Sequence, residues 1–193
     1  MNLFSNITQM KRLLRQGWVR AGVPLSSIES LADHSWSVTV LTYYFCILEN
    51  HLRGSKIQNL DIQKAVLIAL FHDLPESEYF DIDKSAQFIS PETLDKFQQE
   101  LEEGAVQHIL SNIPVPVKGS LCPLLRDHGS EEFHIARVSD LIDLLYQAKE
   151  YWKKNWMDEK LYKKFRSHAL KKLKQYEKRF SFIEEYLLDL ISH

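Results

Sequence analysis

A run of seven apolar residues, Ala65 to Phe71, ends directly at two titratable residues, His72 and Asp73. A helix built from this run has no polar face, so it belongs in a protein core. The run is far shorter than the roughly 20 residues needed to cross a bilayer. Only 6 Gly and 6 Pro occur in 193 residues, and this scarcity of turn-forming residues favours long helices over many short strands. We therefore predict an all-helical fold.

Apolar spacing and capping residues predict the helices of the first half. A helix is expected over about residues 4–15, followed by a loop from Gly17 to Ser30 and a second helix from near Ala32 to about His51. Asp61 is the expected N-cap of the next helix, which carries the apolar run and ends at His72 and Asp73. Pro75 should stop or kink that helix because its ring opposes the carbonyl of Phe71.

The second half is predicted in the same way. Ser90 and Pro91 should open a helix through about Leu110, and Pro114 and Pro116 should close it before a Pro-rich loop. Ser130 and Asp158 should open two more helices. The first runs to about Trp152, and the second belongs to a helical tract over about residues 156–191 with a bend near Arg179. No linker separates two domains, so residues 1–193 are expected to form a single domain with a motif-bearing core over about residues 12–152.

Charge and cysteine content limit the class of protein. A formal net charge of -2 and a pI near 6.4 provide no basic stripe for a long nucleic acid. The amino terminus lacks the apolar centre of a signal peptide, and no membrane association is expected. Cys46 and Cys122 form neither a disulfide framework nor a CxxC site, which fits a reducing cytoplasm.

His72 and Asp73 end the most apolar helix, where burial of titratable groups needs compensation. A bound cation would provide it, because imidazole and carboxylate groups suit Mn, Fe, Co, Ni and Zn. Adjacent residues on a helix diverge by about 100 degrees, so one ion can bind both only at the rim of the helix. The other ligands must come from other helices, and His34 and Asp140 are the best candidates.

In chain order these four residues form the pattern H…HD…D, which resembles the HD-domain superfamily of metal-dependent phosphohydrolases. The segments Asp33-His34-Ser35, Phe71 to Glu76 and Asp81-Ile82 resemble its 5'-deoxynucleotidase branch. Asp140 to Tyr151 is similar to a helix of the HD-domain-containing protein 2 relatives in that branch. The resemblance spans about residues 12–152, and it departs from the family where Tyr79 and Phe80 replace a frequent Thr-Gly.

The resemblance implies an HD-domain helical bundle, a homodimer and a divalent metal ion. Cobalt and manganese are common in the branch, and nickel, iron, zinc and magnesium stay open. It also implies that Glu76 handles protons while water attacks phosphorus, and that Asp81 orients Glu76 or the water. Glu76 could instead be a metal ligand or a surface charge, and Asp81 could be a loop cap.

A phosphate dianion needs cationic donors, and the candidates are Arg15, Arg20 and Arg137. The segment from Arg15 to Arg20 resembles the family region that holds phosphate and screens the sugar, with Trp18 at the position of a family tryptophan. Trp18 could equally be a core residue.

The leading interpretation is hydrolysis of deoxyribonucleoside 5'-monophosphates, small-molecule substrates, to nucleoside and phosphate. A hydrolase of another nucleotide or small phosphoester is the second interpretation. A third is a non-catalytic helical binding module that keeps the metal as a staple. Such a staple would need neither Glu76 nor Asp81, so their presence favours an enzyme.

Overall fold

The computed structural model of this protein describes residues 3–54, 58–79 and 90–183. These residues form α-helices and contain no strand, so the predicted all-helical fold is confirmed. No helix within these ranges is long and apolar enough to cross a membrane. The helices are α1 (Leu3–Met10), α2 (Gln16–Arg20), α3 (Leu31–Arg53), α4 (Ile62–Phe71), α5 (Glu76–Tyr79), α6 (Pro91–Ser111), α7 (Val115–Leu125), α8 (Glu131–Lys153) and α9 (Glu159–Leu173), with 3-10 turns at Leu25–Ser27 and Lys174–Tyr176.

The four residues predicted to open helices all act as N-caps. The side chains of Asp61, Ser90, Ser130 and Asp158 each accept a hydrogen bond from a backbone amide in the first turn of the helix that follows. These amides have no partner within the helix, so a side-chain acceptor stabilises the helix start. The sequence therefore placed the starts of α4, α6, α8 and α9 correctly.

The predicted helix over residues 4–15 is wrong at its carboxyl end, because α1 stops at Met10. The backbone of Leu13, Leu14 and Arg15 instead pairs with residues 29–31: the amide of Arg15 donates to the carbonyl of Glu29 at 3.2 Å, and the amide of Leu31 donates to Leu13 at 2.9 Å. This distant pairing supplies the backbone hydrogen bonds that a longer helix would have made.

Two segments predicted as loops contain helices. The stretch from Gly17 to Ser30 includes most of α2 and a 3-10 turn, and the segment predicted as a Pro-rich loop forms α7. Pro114 occupies the N-cap of α7, and Pro116 lies in its first turn. Proline is tolerated there because a first-turn amide has no carbonyl partner within the helix.

The helical tract predicted to follow Asp158 also breaks earlier than expected. α9 ends at Leu173, and turns lead to a buried segment around Phe180 and Phe182. The carboxylate of Glu49 accepts hydrogen bonds from the amide of Ser181 at 2.8 Å and from that of Phe182 at 3.4 Å. These bonds hold an irregular segment against α3. The rest of the predicted helical tract, residues 184–191, lies outside the described ranges.

Two compact units can be distinguished among the described residues. The first unit comprises the described parts of Met1–Ser35 and Phe71–Arg126, and the second comprises those of Trp36–Leu70 and Asp127–His193. Each has its own hydrophobic core. The expectation of a single domain stays a prediction. The first core includes Leu31, Leu74, Val106, Ile109 and Leu110, and the second includes Phe45, Ile135, Val138, Ala169, Phe180 and Phe182.

Candidate metal centre and active site

His34 is positioned by a capping box at the start of α3. The amide of Ser30 donates to the Asp33 carboxylate at 2.9 Å, and the amide of Asp33 donates to the Ser30 hydroxyl at 3.1 Å. Such reciprocal bonds satisfy two backbone donors and fix the first helical turn. The next residue, His34, is therefore held in a defined direction, and only 1% of it is exposed.

His72 and Asp73 lie in the turn between α4 and α5. The amide of Leu74 donates to the carbonyl of Phe71 at 3.0 Å, and the amide of Glu76 donates to that of Asp73 at 3.1 Å. These bonds span three residues rather than four, so the chain winds more tightly here than in an α-helix. The helix ends before Pro75, as predicted, and the titratable pair occupies the helix rim.

The side chains of His34, His72 and Asp73 converge in the first unit. His72 Nε2 lies 3.2 Å from Asp73 Oδ1, and His34 Nε2 lies 3.6 Å from Asp73 Oδ2. The two imidazole rings meet edge to face with centroids 5.3 Å apart. Two imidazole nitrogens and a carboxylate are donors that divalent transition metals accept, so this cluster fits such an ion.

Arg15 lies beside the same carboxylate. Its Nη1 donates to Asp73 Oδ2 at 2.9 Å, and both side chains are largely buried. The pairing between residues 13–15 and 29–31 carries Arg15 to this place. A guanidinium there adds positive charge beside the cluster, as binding of an anionic substrate requires. Its role toward phosphate stays a prediction.

The predicted proton-handling residues are only partly described. Glu76 is half-buried and begins α5, and its backbone amide is bonded to the carbonyl of Asp73. Asp81 lies outside the described residues. The catalytic roles of both therefore stay predictions.

The two residues of α2 that were predicted to contact substrate lie in different surroundings. Trp18 is only 2% exposed, and its Nε1 donates to the carboxylate of Glu29 at 2.8 Å. This burial agrees with the alternative interpretation of Trp18 as a core residue. Arg20, in contrast, is exposed at the end of the helix. Contact of either residue with a substrate stays a prediction.

Asp140 and Arg137 belong to the second unit, where both lie on α8. Arg137 Nη1 donates to Asp140 Oδ2 at 2.7 Å, one helical turn away. The pair orients the Asp140 carboxylate and compensates its charge. One turn further along α8, Asp143 is 8% exposed. Asp140 as a metal ligand and Arg137 as a substrate contact stay predictions.

A polar network in the first unit was not foreseen from the sequence. The Nδ2 of Asn6, on α1, donates to Ser77 Oγ at 2.8 Å and to Glu78 Oε1 at 2.6 Å. The other Glu78 oxygen lies 3.0 Å from His108 Nδ1 on α6. The network holds the short helix α5, which begins with Glu76. A polar Asn6 within the apolar pattern of α1 was the only sequence signal for it.

Comparisons with known proteins point in one direction. The sequence model of one family, described as 5'-deoxynucleotidase YfbR-like, matches residues 2–190. The chain is 28% identical over 156 residues to 5'-deoxynucleotidase HDDC2 of Dictyostelium discoideum, covering 79% of this chain and 77% of that protein. It is 24% identical over 143 residues to 5'-deoxynucleotidase VP0926 of Vibrio parahaemolyticus, covering 73% and 70%.

Among solved structures, the HD-domain phosphohydrolase lin2634 of Listeria innocua matches with a TM-score of 0.78. The match covers 100% of this chain and 91% of that one, at 23% sequence identity. This likeness establishes the fold, a helical bundle of the HD-domain type.

Proposed function

Because this chain belongs to the YfbR-like family of 5'-deoxynucleotidases, we propose that it hydrolyses deoxyribonucleoside 5'-monophosphates to deoxynucleoside and phosphate. The observation that carries the proposal is the convergence of His34, His72 and Asp73, with Arg15 bonded to the same carboxylate. Metal-ligand donors and a phosphate-binding cation are the groups that phosphomonoester hydrolysis needs.

The ligands of the proposed divalent metal are His34, His72, Asp73 and Asp140. The first three are supported by their mutual distances, and Asp140 by its place in the H…HD…D order. A bound divalent ion would polarise the phosphoryl group and lower the pKa of water. Its identity among cobalt, manganese, nickel, iron, zinc and magnesium is left to experiment.

The side chains of this protein would move the protons. The oxygen of a water molecule bonds to phosphorus while the bond from phosphorus to the sugar 5'-oxygen breaks. Glu76 accepts a proton from the attacking water and returns one to the departing 5'-oxygen. Asp81 would orient Glu76 or the water. Glu76 is the first residue of α5 and follows the turn that contains His72 and Asp73, which supports its assignment as the proton-handling residue.

Substrate binding is assigned to Arg15, Trp18, Arg20 and Arg137. Arg15 is the best supported, since its contact with Asp73 places a guanidinium at the cluster. We expect Arg15 or Arg20 to bind the phosphate through charge-assisted hydrogen bonds, each contributing roughly 1.5 to 3 kcal/mol. Trp18 would screen the sugar, and Arg137 would act near Asp140.

One assay separates this function from its alternatives. Phosphate release would be measured from deoxyribonucleotides, ribonucleotides and other small phosphoesters, each with the candidate metals in turn. Preferential release from deoxyribonucleoside 5'-monophosphates supports the proposal. Release from other phosphoesters alone would indicate a different phosphohydrolase, and release from none would indicate the metal-stapled binding module.

Three variants test the assigned residues. His72→Ala and Asp140→Ala should each lose the metal in elemental analysis, because the remaining ligands leave it undercoordinated. Glu76→Gln should keep the metal and lose about 100-fold to 10,000-fold in kcat, because an amide cannot exchange the proton. His51→Ala, an exposed histidine of α3, is the control and should keep both metal and activity. Full metal content in His72→Ala would refute the ligand set.

We also propose that the protein is a homodimer, as the family resemblance implies, and that it is cytoplasmic, as its cysteine content suggests. Cys46 and Cys122 are both free thiols, which supports a reducing compartment. Cell fractionation would test the location, and sedimentation equilibrium would test the dimer.

A further inference from the structure

The solvent-facing side of α3 carries five large apolar residues within the second unit. Their exposed fractions lie between 45% and 67%. The twelve residues from Trp36 to Ile47 include no Lys, Arg, Asp or Glu. We call this set the α3 stripe, and its members are Trp36, Val40, Tyr43, Tyr44 and Ile47.

The spacing of the α3 stripe puts its members on one side of the helix. At about 100 degrees per residue, all five fall within an arc of roughly 100 degrees. The opposite side of α3 is buried at Val38, Thr42, Phe45, Cys46 and Glu49, and Phe45 and Cys46 belong to the core of the second unit. A helix on a protein surface normally exposes a polar face, whereas the exposed residues of α3 between Trp36 and Ile47 are all large and apolar. Such a helix is typical of a position between two packed layers.

The area of the α3 stripe is large for an exposed surface. Aromatic side chains bury about 150 to 250 Å² each when covered, so the observed exposures correspond to an apolar surface on the order of 500 Å². The largest apolar patch of a monomeric protein reaches about 300 to 600 Å² and is often functional. Two such stripes in contact would bury on the order of 1,000 Å², the lower size of a specific protein interface.

We propose that the α3 stripe is the surface through which two copies of this chain associate. A two-fold interface brings one surface against itself, so the surface must complement itself. A charged surface would repel its copy, whereas an uncharged apolar stripe packs against an identical one. The stripe spans about 17 Å along the helix, which allows two antiparallel α3 helices to lie side by side. Trp and Tyr are also enriched at the centres of protein interfaces.

The test compares two substitutions of similarly exposed aromatic residues. Tyr43→Glu places a charge at the middle of the α3 stripe, where each copy would face the same charge on its partner. We expect the dimer dissociation constant, measured by sedimentation equilibrium, to rise at least about 100-fold. Phe97→Glu, on α6 and 51% exposed, is the control and should leave it unchanged. Circular dichroism of both variants would verify folding.

A crosslinking experiment keeps the proposal testable if Tyr43→Glu fails to fold. Tyr43→Cys in a Cys122→Ser background should form a disulfide-linked dimer under oxidation, and Phe97→Cys should not. The inference rests on the proposed homodimer, but failure of the α3 assignment can be distinguished from failure of the homodimer. A dimer that survives Tyr43→Glu and is not crosslinked through Tyr43→Cys would overturn the α3 assignment alone. A wild-type protein that is monomeric at all concentrations would overturn both the homodimer and the α3 assignment. The same holds for a monomer that binds lipid vesicles through the α3 stripe.

Discussion

Replacing Asn6 with Asp would change the polar network that holds α5 without changing the size of the side chain. Asn6 is fully buried, and its Nδ2 donates to Ser77 Oγ and Glu78 Oε1. The amide nitrogen must be the atom that faces Glu78, since the amide oxygen and a carboxylate oxygen would both be acceptors. Asn6→Asp replaces this donor with a second carboxylate beside Glu78, whose side chain is only 12% exposed.

The magnitude follows from the lost bonds and the added repulsion. A hydrogen bond to a charged group contributes about 1.5 to 3 kcal/mol, and one to a neutral hydroxyl about 0.5 to 1.5 kcal/mol. Two like charges in a partly buried site add a repulsion on the order of a few kcal/mol. His108 lies 3.0 Å from the second Glu78 oxygen and would offset part of it. We therefore expect the free energy of unfolding to fall by about 3 to 5 kcal/mol near neutral pH.

The loss should depend on pH in a definite direction. Burial and the adjacent Glu78 carboxylate both disfavour ionisation, so the pKa of the introduced carboxyl is higher in the folded protein than in the unfolded chain. The folded state therefore binds the proton more tightly. Stability of Asn6→Asp relative to wild type is greatest in acid and is lost as the pH rises through the folded pKa.

Urea unfolding of both proteins near pH 5 and pH 8 would measure this difference. Thr8→Ala, an exposed position on the same helix, is the matched control and should stay within about 0.5 kcal/mol of wild type. Under conditions where Asn6→Asp stays folded, we expect a lower kcat with little change in KM, because α5 begins with Glu76, which we propose as the proton-handling residue. A difference under about 1 kcal/mol at the higher pH, or an equal difference at both, would refute the reasoning.

Three further predictions concern the second unit and the thiols. Burial opposes ionisation of Asp127, but hydrogen bonds from Lys64 and backbone amides outweigh it and hold its pKa well below the usual 3.8. Asp127→Asn should thus lower the free energy of unfolding by about 1 to 3 kcal/mol near pH 7, and this loss should shrink as the pH falls below 3.8. Equal losses in urea unfolding near pH 7 and below pH 3.8 would contradict this prediction. Glu49→Gln keeps the shape of the buried side chain but removes the negative charge that pairs with the buried guanidinium of Arg53. Thermal unfolding should therefore show a loss of about 2 to 4 kcal/mol in the free energy of unfolding. An unchanged Tm would exclude a stabilising role for this ion pair. Burial raises the pKa of Cys46 to about 12, so only Cys122 should react with a thiol reagent in the native protein near pH 8, and reaction of both would contradict that burial.

Short-range features of the sequence predicted helix starts well. A capping side chain acts on amides two or three residues away, so Ser90, Ser130 and Asp158 could be identified without tertiary structure. The apolar run before His72 likewise predicted α4, because a helix without a polar face must be buried. These signals depend on neighbours in the chain.

Helix ends and prolines were harder to predict. α1 was expected to continue to residue 15, but the backbone of residues 13–15 pairs with that of residues 29–31. Pro114 and Pro116 were interpreted as terminating residues, although they begin α7. Proline is compatible with both the end and the first turn of a helix, so composition alone does not distinguish them.

The order and chemistry of the candidate ligands were determined by the sequence alone: His34, His72, Asp73 and Asp140 could be selected by residue type and motif. Only the tertiary structure decided which side chains meet. It brings His34 and His72 to opposite oxygens of Asp73, and it directs Arg15 to the same carboxylate across 58 positions of the chain. Local propensity acts over a few residues, whereas contacts between distant residues depend on how whole helices pack and on which polar groups are buried together.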